Sequence, residues 1–157
     1  SGTGTGSQWQ EMEKEMMRYN RKHCTCLEWT KMGLNTLLGG LGSSKASQAL
    51  FRQVVRNYNA DYPAFHDVKL DMSNVSVQAG NQTRKEIMAY PLLPRLEDPA
   101  FPITVTFGDN DIFGASEHFV ISRYPSAQVF TIKNSGHFPF LHNPQDYFAI
   151  LHQHFQP

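Results

Sequence analysis

The sequence is poor in cysteine: Cys24 and Cys26 are its only two, separated by one residue. That spacing strains a disulfide and supplies half of the four ligands a structural zinc site takes, so both are expected as free thiols. Charge of one sign is also lacking, since 14 Lys and Arg stand against 14 Asp and Glu. Without a basic footprint, nucleic acid and anionic membrane surfaces are disfavoured as partners. No apolar run approaches the roughly 18 to 20 residues of a membrane span. Phosphate loops are missing as well, because Gly2, Gly4 and Gly6 do not fit G-x-G-x-x-G. Charged residues are sparse at 18% while aromatics reach 12%, the reverse of a disordered chain. A length of 157 residues accommodates one globular unit.

What is present first is helical periodicity. Ser7 with Gln10 forms a capping-box pattern, and Trp9, Met12, Met16 and Tyr19 recur at helical spacing, which predicts a helix from about Gln8 to Lys22. Leu27, Lys31 through its stem, Leu34 and Leu38 form a second stripe that stops at Gly39 and Gly40. Ala46, Leu50, Val54 and Tyr58 form a third, after Ser43 and Ser44. Asp61 to Ala100 contains Pro63, Pro91, Pro94 and Pro99 and is expected to be irregular, with a short helix near Arg84 to Met88. Residues 1–100 are thus read as a helical region with a connecting segment.

Residues 101–157 are more regular. Ile103 to Phe107 reads as a buried strand ending in the turn Gly108-Asp109-Asn110-Asp111. A helix from about Ser116 to Arg123 follows, then a strand from Gln128 to Ile132 and a second polar turn, Asn134-Ser135-Gly136-His137. Pro144 suits the first turn of a terminal helix. The order is βαβα, which predicts parallel strands and places both turns at the same sheet edge, where open α/β sheets bind ligands. Asp111 and His137 are then candidate partners: a carboxylate that orients an imidazole makes it a general base toward a hydroxyl and an acid toward the leaving group. On these residues alone, Asp109, Asp111 and His137 read equally as ordinary turn formers.

The stretch PITVTFGDNDIFG, followed by YPSAQVFTIKNSGHFPFLHNPQDYFAILHQHF, resembles the C-terminal end of an α/β-hydrolase, whose last two strands carry the triad acid and histidine. G-x-x-D at Gly108 to Asp111 matches the acid turn, and Gly136-His137 with Pro144 and Phe148 matches the histidine loop. The resemblance implies Asp111 as triad acid and His137 as base, with Asp109 too early in the turn. SGTGTGSQWQEMEKEM is similar to the exit of the sixth strand and first cap helix of proline-iminopeptidase-like members. It further implies a fold of α/β class, the C-terminal portion of an α/β-hydrolase sheet preceded by a helical cap. The implied activity is hydrolysis through a serine acyl-enzyme, on peptides or amino-acid amides, with no cofactor or metal. Carboxylesterase or lipase-like hydrolysis and a noncatalytic binding module are the alternatives.

The chain departs from the family at its centre, for it has no G-x-S-x-G; Ser43, Ser44 and Ser116 all lack the flanking glycine pair. The expected partners are therefore the N-terminal half of the same hydrolase, bringing nucleophile and oxyanion hole, and a small peptide or ester substrate. The isolated chain is expected to be inactive, and two strands with unmet edges are expected to promote self-association. His152 and His154 lack a third metal ligand nearby and are read, with His118 and His142, as surface residues. Glu11, Glu13 and Glu15 are read as mainly exposed, although the resemblance allows one of them to pair with a substrate amine.

Overall fold

The computed structural model describes residues 4–156; Ser1 to Thr3, the head of the SGTGTGS tract, and Pro157 lie outside the described residues. The chain is mixed α/β, 58% helical, with a two-stranded parallel sheet. It divides into two compact units, one containing Met17–Tyr90 and the other the residues up to Met16 together with those from Pro91 onward. This spatial partition differs from the division by sequence at residue 100, because the described residues up to Met16 group with the sheet. Helix α1, Ser7–His23, begins in one unit and ends in the other. Ser7 is its first helical residue rather than its cap, and Gln8 N–H donates to the Thr5 carbonyl at 3.1 Å.

In the helical unit, side-chain caps set where the helices begin. Thr25 and Glu28 exchange bonds in a capping box at the start of α2, Cys26–Gly40. Ser43 accepts from Ala46 N–H to open α3, Ser44–Tyr58, and Ser76 accepts from Ala79 N–H to open α4, Val77–Ala89. Helix α4 is longer than the short helix expected near Arg84. Gly80, Asn81 and Thr83 depress its local propensity, but the Ser76 cap and the burial of Val77 provide what the pattern lacks. A correction concerns α2, whose expected apolar stripe is exposed at Leu27, Leu34 and Leu38, while Met32 and Gly39 are buried. Gly39 decides this face: a Cβ there would collide with Val77 and with Ser47 Oγ, so its absence lets α3 and α4 close on α2. Ser47 Oγ in turn accepts from Val77 N–H at 3.2 Å. The buried interior is partly polar, with Asn57 Nδ2 donating to Asn20 Oδ1 at 2.8 Å and Gln53 Nε2 donating to Asn57 Oδ1 at 2.8 Å.

In the other unit, β1, Thr104–Gly108, and β2, Gln128–Ile132, pair in parallel with Thr104 opposite Gln128 and Gly108 opposite Ile132. Between them come a 3₁₀ turn, Gly114–Ser116, and α5, Glu117–Arg123; α6, Pro139–His142, and α7, Pro144–Phe155, follow. The core joins Val105 and Phe107 of β1 to Val120 of α5, with Ile103, Tyr124 and Ala127 packed against it. β-branched and aromatic residues suit such a pleated surface. Strand β2 is less covered, and its Val129 is exposed. Thr104 Oγ1 and His154 Nδ1 lie 2.8 Å apart, which ties α7 to β1 and removes His154 from the expected solvated helix end.

Candidate functional site

The carboxyl ends of β1 and β2 each release a turn at the same edge, and a glycine lets those turns meet. A Cβ at Gly108 would collide with the carbonyl oxygens of Ser135 and Gly136, which are backbone atoms that cannot swing aside. The two turns are then laced together. Asp109 N–H donates to the Ile132 carbonyl at 2.9 Å, Asn110 N–H to the Ser135 carbonyl at 2.9 Å, and Ser135 N–H to Asp109 Oδ1 at 3.1 Å. Asn134 takes a left-handed backbone, φ 53°, which asparagine tolerates better than most residues and which turns the chain back toward β1. The Ser135 amide holds the Asp109 carboxyl below its ordinary value.

This lacing brings Asp111 and His137 together. Nδ1 of His137 stands 3.1 Å from Asp111 Oδ1 and 3.4 Å from Oδ2. The Asp111 side chain is 4% exposed and the His137 ring 19% exposed, so the carboxylate is the desolvated member and the imidazole the accessible one. Burial pushes Asp111 toward its neutral form, but the bond to His137, the imidazole charge and the Phe113 N–H outweigh it and hold the carboxyl below its ordinary range. Phe113 N–H donates to Asp111 Oδ1 at 2.9 Å, which fixes the carboxylate plane. Phe113 meets the imidazole edge-on at a centroid distance of 5.1 Å, and Phe138 lies at 5.3 Å.

Two supports lay beyond sequence reasoning. His142, read as a surface residue, accepts the Gly136 N–H at Nδ1, 2.9 Å away, and burial lowers its pKa so that the ring stays neutral for that role. Its placement four residues into the turn-helix after Gly136 follows from α6, a helix too short for periodicity to reveal. Glu15 is the other. Of the three acidic residues on α1, Glu11 pairs with Lys14 and Glu13 accepts from Trp9 Nε1 at 2.8 Å. Glu15 is buried; it accepts from Ala115 N–H at 2.8 Å and from the Ser116 hydroxyl. Its expected exposure is therefore overturned, because the loop after Asp111 supplies the donors that make its burial tolerable.

The arrangement holds an imidazole in one orientation by a buried carboxylate, which equips it for proton transfer at Nε2. The Ser116 hydroxyl is committed to Glu15, and the Ser135 hydroxyl is buried and lies 3.4 Å from the Gly136 carbonyl. Cys24 and Cys26 are free thiols. Among the described residues, no group of three or more His, Cys, Asp or Glu side chains is placed to hold a metal ion, and no helix is long and apolar enough to cross a membrane. Comparison of the chain with family models, with curated proteins and with solved structures finds no match in any of the three.

Proposed function

We propose that this chain provides the acid and base of a serine hydrolase of α/β-hydrolase type, with His137 as general base and Asp111 as the group that orients it. The single observation that supports this reading most is the buried Asp111 carboxylate on His137 Nδ1, at the carboxyl edge of two parallel strands. The nucleophilic serine and the oxyanion-hole amides come from the N-terminal half of the same hydrolase. In acylation the serine Oγ attacks the substrate carbonyl carbon while its proton passes to His137 Nε2; collapse of the intermediate breaks the bond to the leaving group, which takes that proton. Water then repeats the sequence on the acyl-enzyme and regenerates the serine. Peptides or amino-acid amides are the leading substrates and carboxylic esters the second; no cofactor enters.

The test is to co-express the chain with the polypeptide encoded immediately upstream, then assay aminoacyl amides and aryl esters and label with a fluorophosphonate. The isolated chain should be inert and the assembly active. His137→Ala and Asp111→Asn should each lower kcat by on the order of 10³-fold or more. Stoichiometric labelling of a serine within this chain, or full activity of His137→Ala, would overturn the proposal. The lack of G-x-S-x-G in these residues favours a second reading, a noncatalytic binding module, for which the assembly would gain compactness and no activity.

A further inference from the structure

We infer that Glu15 is a positioning residue for the Asp111–His137 pair, holding the far end of the acid loop in place. The inference rests on the reading of that pair as acid and base. The loop from Asp111 to Ser116 is anchored at its start by Asp111 N–H on the Gly108 carbonyl and by Phe113 N–H on the Asp111 carboxylate. Its far end contains Gly114 and Ala115, which bring little side chain of their own, and the space around Gly114 is open. Within the loop, Gly114 N–H donates to the Asp111 carbonyl and Ser116 N–H to the Phe113 carbonyl; from outside it, Glu15, 100 residues away in sequence, grips the Ala115 amide and the Ser116 hydroxyl. At the carbonyl of the same residue, His118 Nδ1 lies 2.7 Å from the Ala115 oxygen. Burying a carboxylate is costly unless its lone pairs are satisfied, and both oxygens of Glu15 here have a donor.

The charged and titratable groups around the loop are Asp111, Glu117, His118 and His137. Glu117 carries a carboxyl raised by burial and by the charges of Asp111 and Glu15, so the field of Glu15 reaches beyond its own bonds. A test must therefore separate grip from field. Histidine side-chain NMR of the full chain does so, following the signal of the His137 Nδ1 proton and its exchange with water, with thermal melts alongside. Ser116→Ala removes a donor without changing charge, Ser116→Thr restores the hydroxyl, and Glu117→Gln removes a neighbouring charge without touching the grip.

Ser116→Ala should speed exchange of the His137 Nδ1 proton with water several-fold and broaden or abolish its signal, because a looser loop holds the Asp111–His137 bond less well. Glu15→Gln should do the same more strongly, Ser116→Thr should match the parent, and Glu117→Gln should change the exchange rate by less than Ser116→Ala. If Ser116→Ala leaves both readouts unchanged, or Glu117→Gln equals Glu15→Gln, the effect is field alone and the inference falls. Should Glu15→Gln fail to fold, the Ser116 pair decides the question. An assembly without hydrolytic activity would sink the hydrolase reading, while the Nδ1 proton readout still decides the role of Glu15.

Discussion

Asp109 and Asp111 are two residues apart and serve different ends. The Asp109 carboxylate is exposed and receives the Ser135 amide, so it fastens one turn to the other; the Asp111 carboxylate is buried and faces the imidazole. Asp111→Asn keeps the shape but removes the charge that the imidazole meets, and should lower stability at pH 7 by about 2 kcal/mol. The sign with pH follows from the direction of the shift. A carboxyl whose pKa is lower folded than unfolded stabilises the fold above the ordinary aspartate value of about 3.9 and loses that contribution as pH falls through its folded pKa. The melting difference between parent and Asp111→Asn should therefore be full at neutral pH and shrink once the pH is taken below about 4. Glu117 has the opposite sign, since its raised pKa makes the ionised form unfavourable as pH rises above the ordinary glutamate range. Glu117→Gln should stabilise the chain at pH 7 and have no effect near pH 4, as read by the same melts.

At the scale of elements, α2 contains three glycines, of which Gly39 is needed and Gly33 is not. Gly39 lies where Val77 and Ser47 close on the helix, whereas Gly33 has open space around it. In an exposed helix interior, alanine is favoured over glycine by about 1 kcal/mol. Gly33→Ala should thus raise stability by about that amount, and Gly39→Ala should lower it despite the same propensity gain, because the new methyl meets Val77 and Ser47. Equal stabilisation by both, in denaturant titrations, would show that the close packing at Gly39 is dispensable. The same contrast explains what the stripe Leu27, Leu34 and Leu38 concealed. Apolar periodicity identifies a helix, but which side is buried depends on where neighbouring helices come close, and here a glycine notch prevailed over three leucines.

For the whole molecule, the sheet is the feature with the largest consequence. Two parallel strands are fewer than an independently stable sheet needs, and β2 leaves Val129 exposed. Strands with unpaired edges seek partners. Sedimentation of the chain alone should show concentration-dependent association, and on the proposed hydrolase reading an added N-terminal half should replace it with a one-to-one complex. A monomer across the micromolar range, with one cooperative thermal transition, would show that the sheet needs no further strands.

The sequence by itself determined the elements whose signals are local. The strand Gln128–Ile132, the Ser43-capped helix and the helix opened by Pro144 follow from β-branched runs, caps and proline placement, each decided within a few residues. It also brought the turns of Asp111 and His137 to one edge, while the choice of Asp111 over Asp109 came from the resemblance. Tertiary structure decided the rest, through pairings that no local pattern carries. Glu15 is buried where donors 100 residues away meet it, and His142 accepts the Gly136 amide on a ring whose pKa burial lowers. Gly108 was legible as a turn glycine, but its requirement lies in the backbone of Ser135 and Gly136 passing against it. Periodicity reports which residues avoid water; it does not report which distant polar groups will satisfy one another once water is gone.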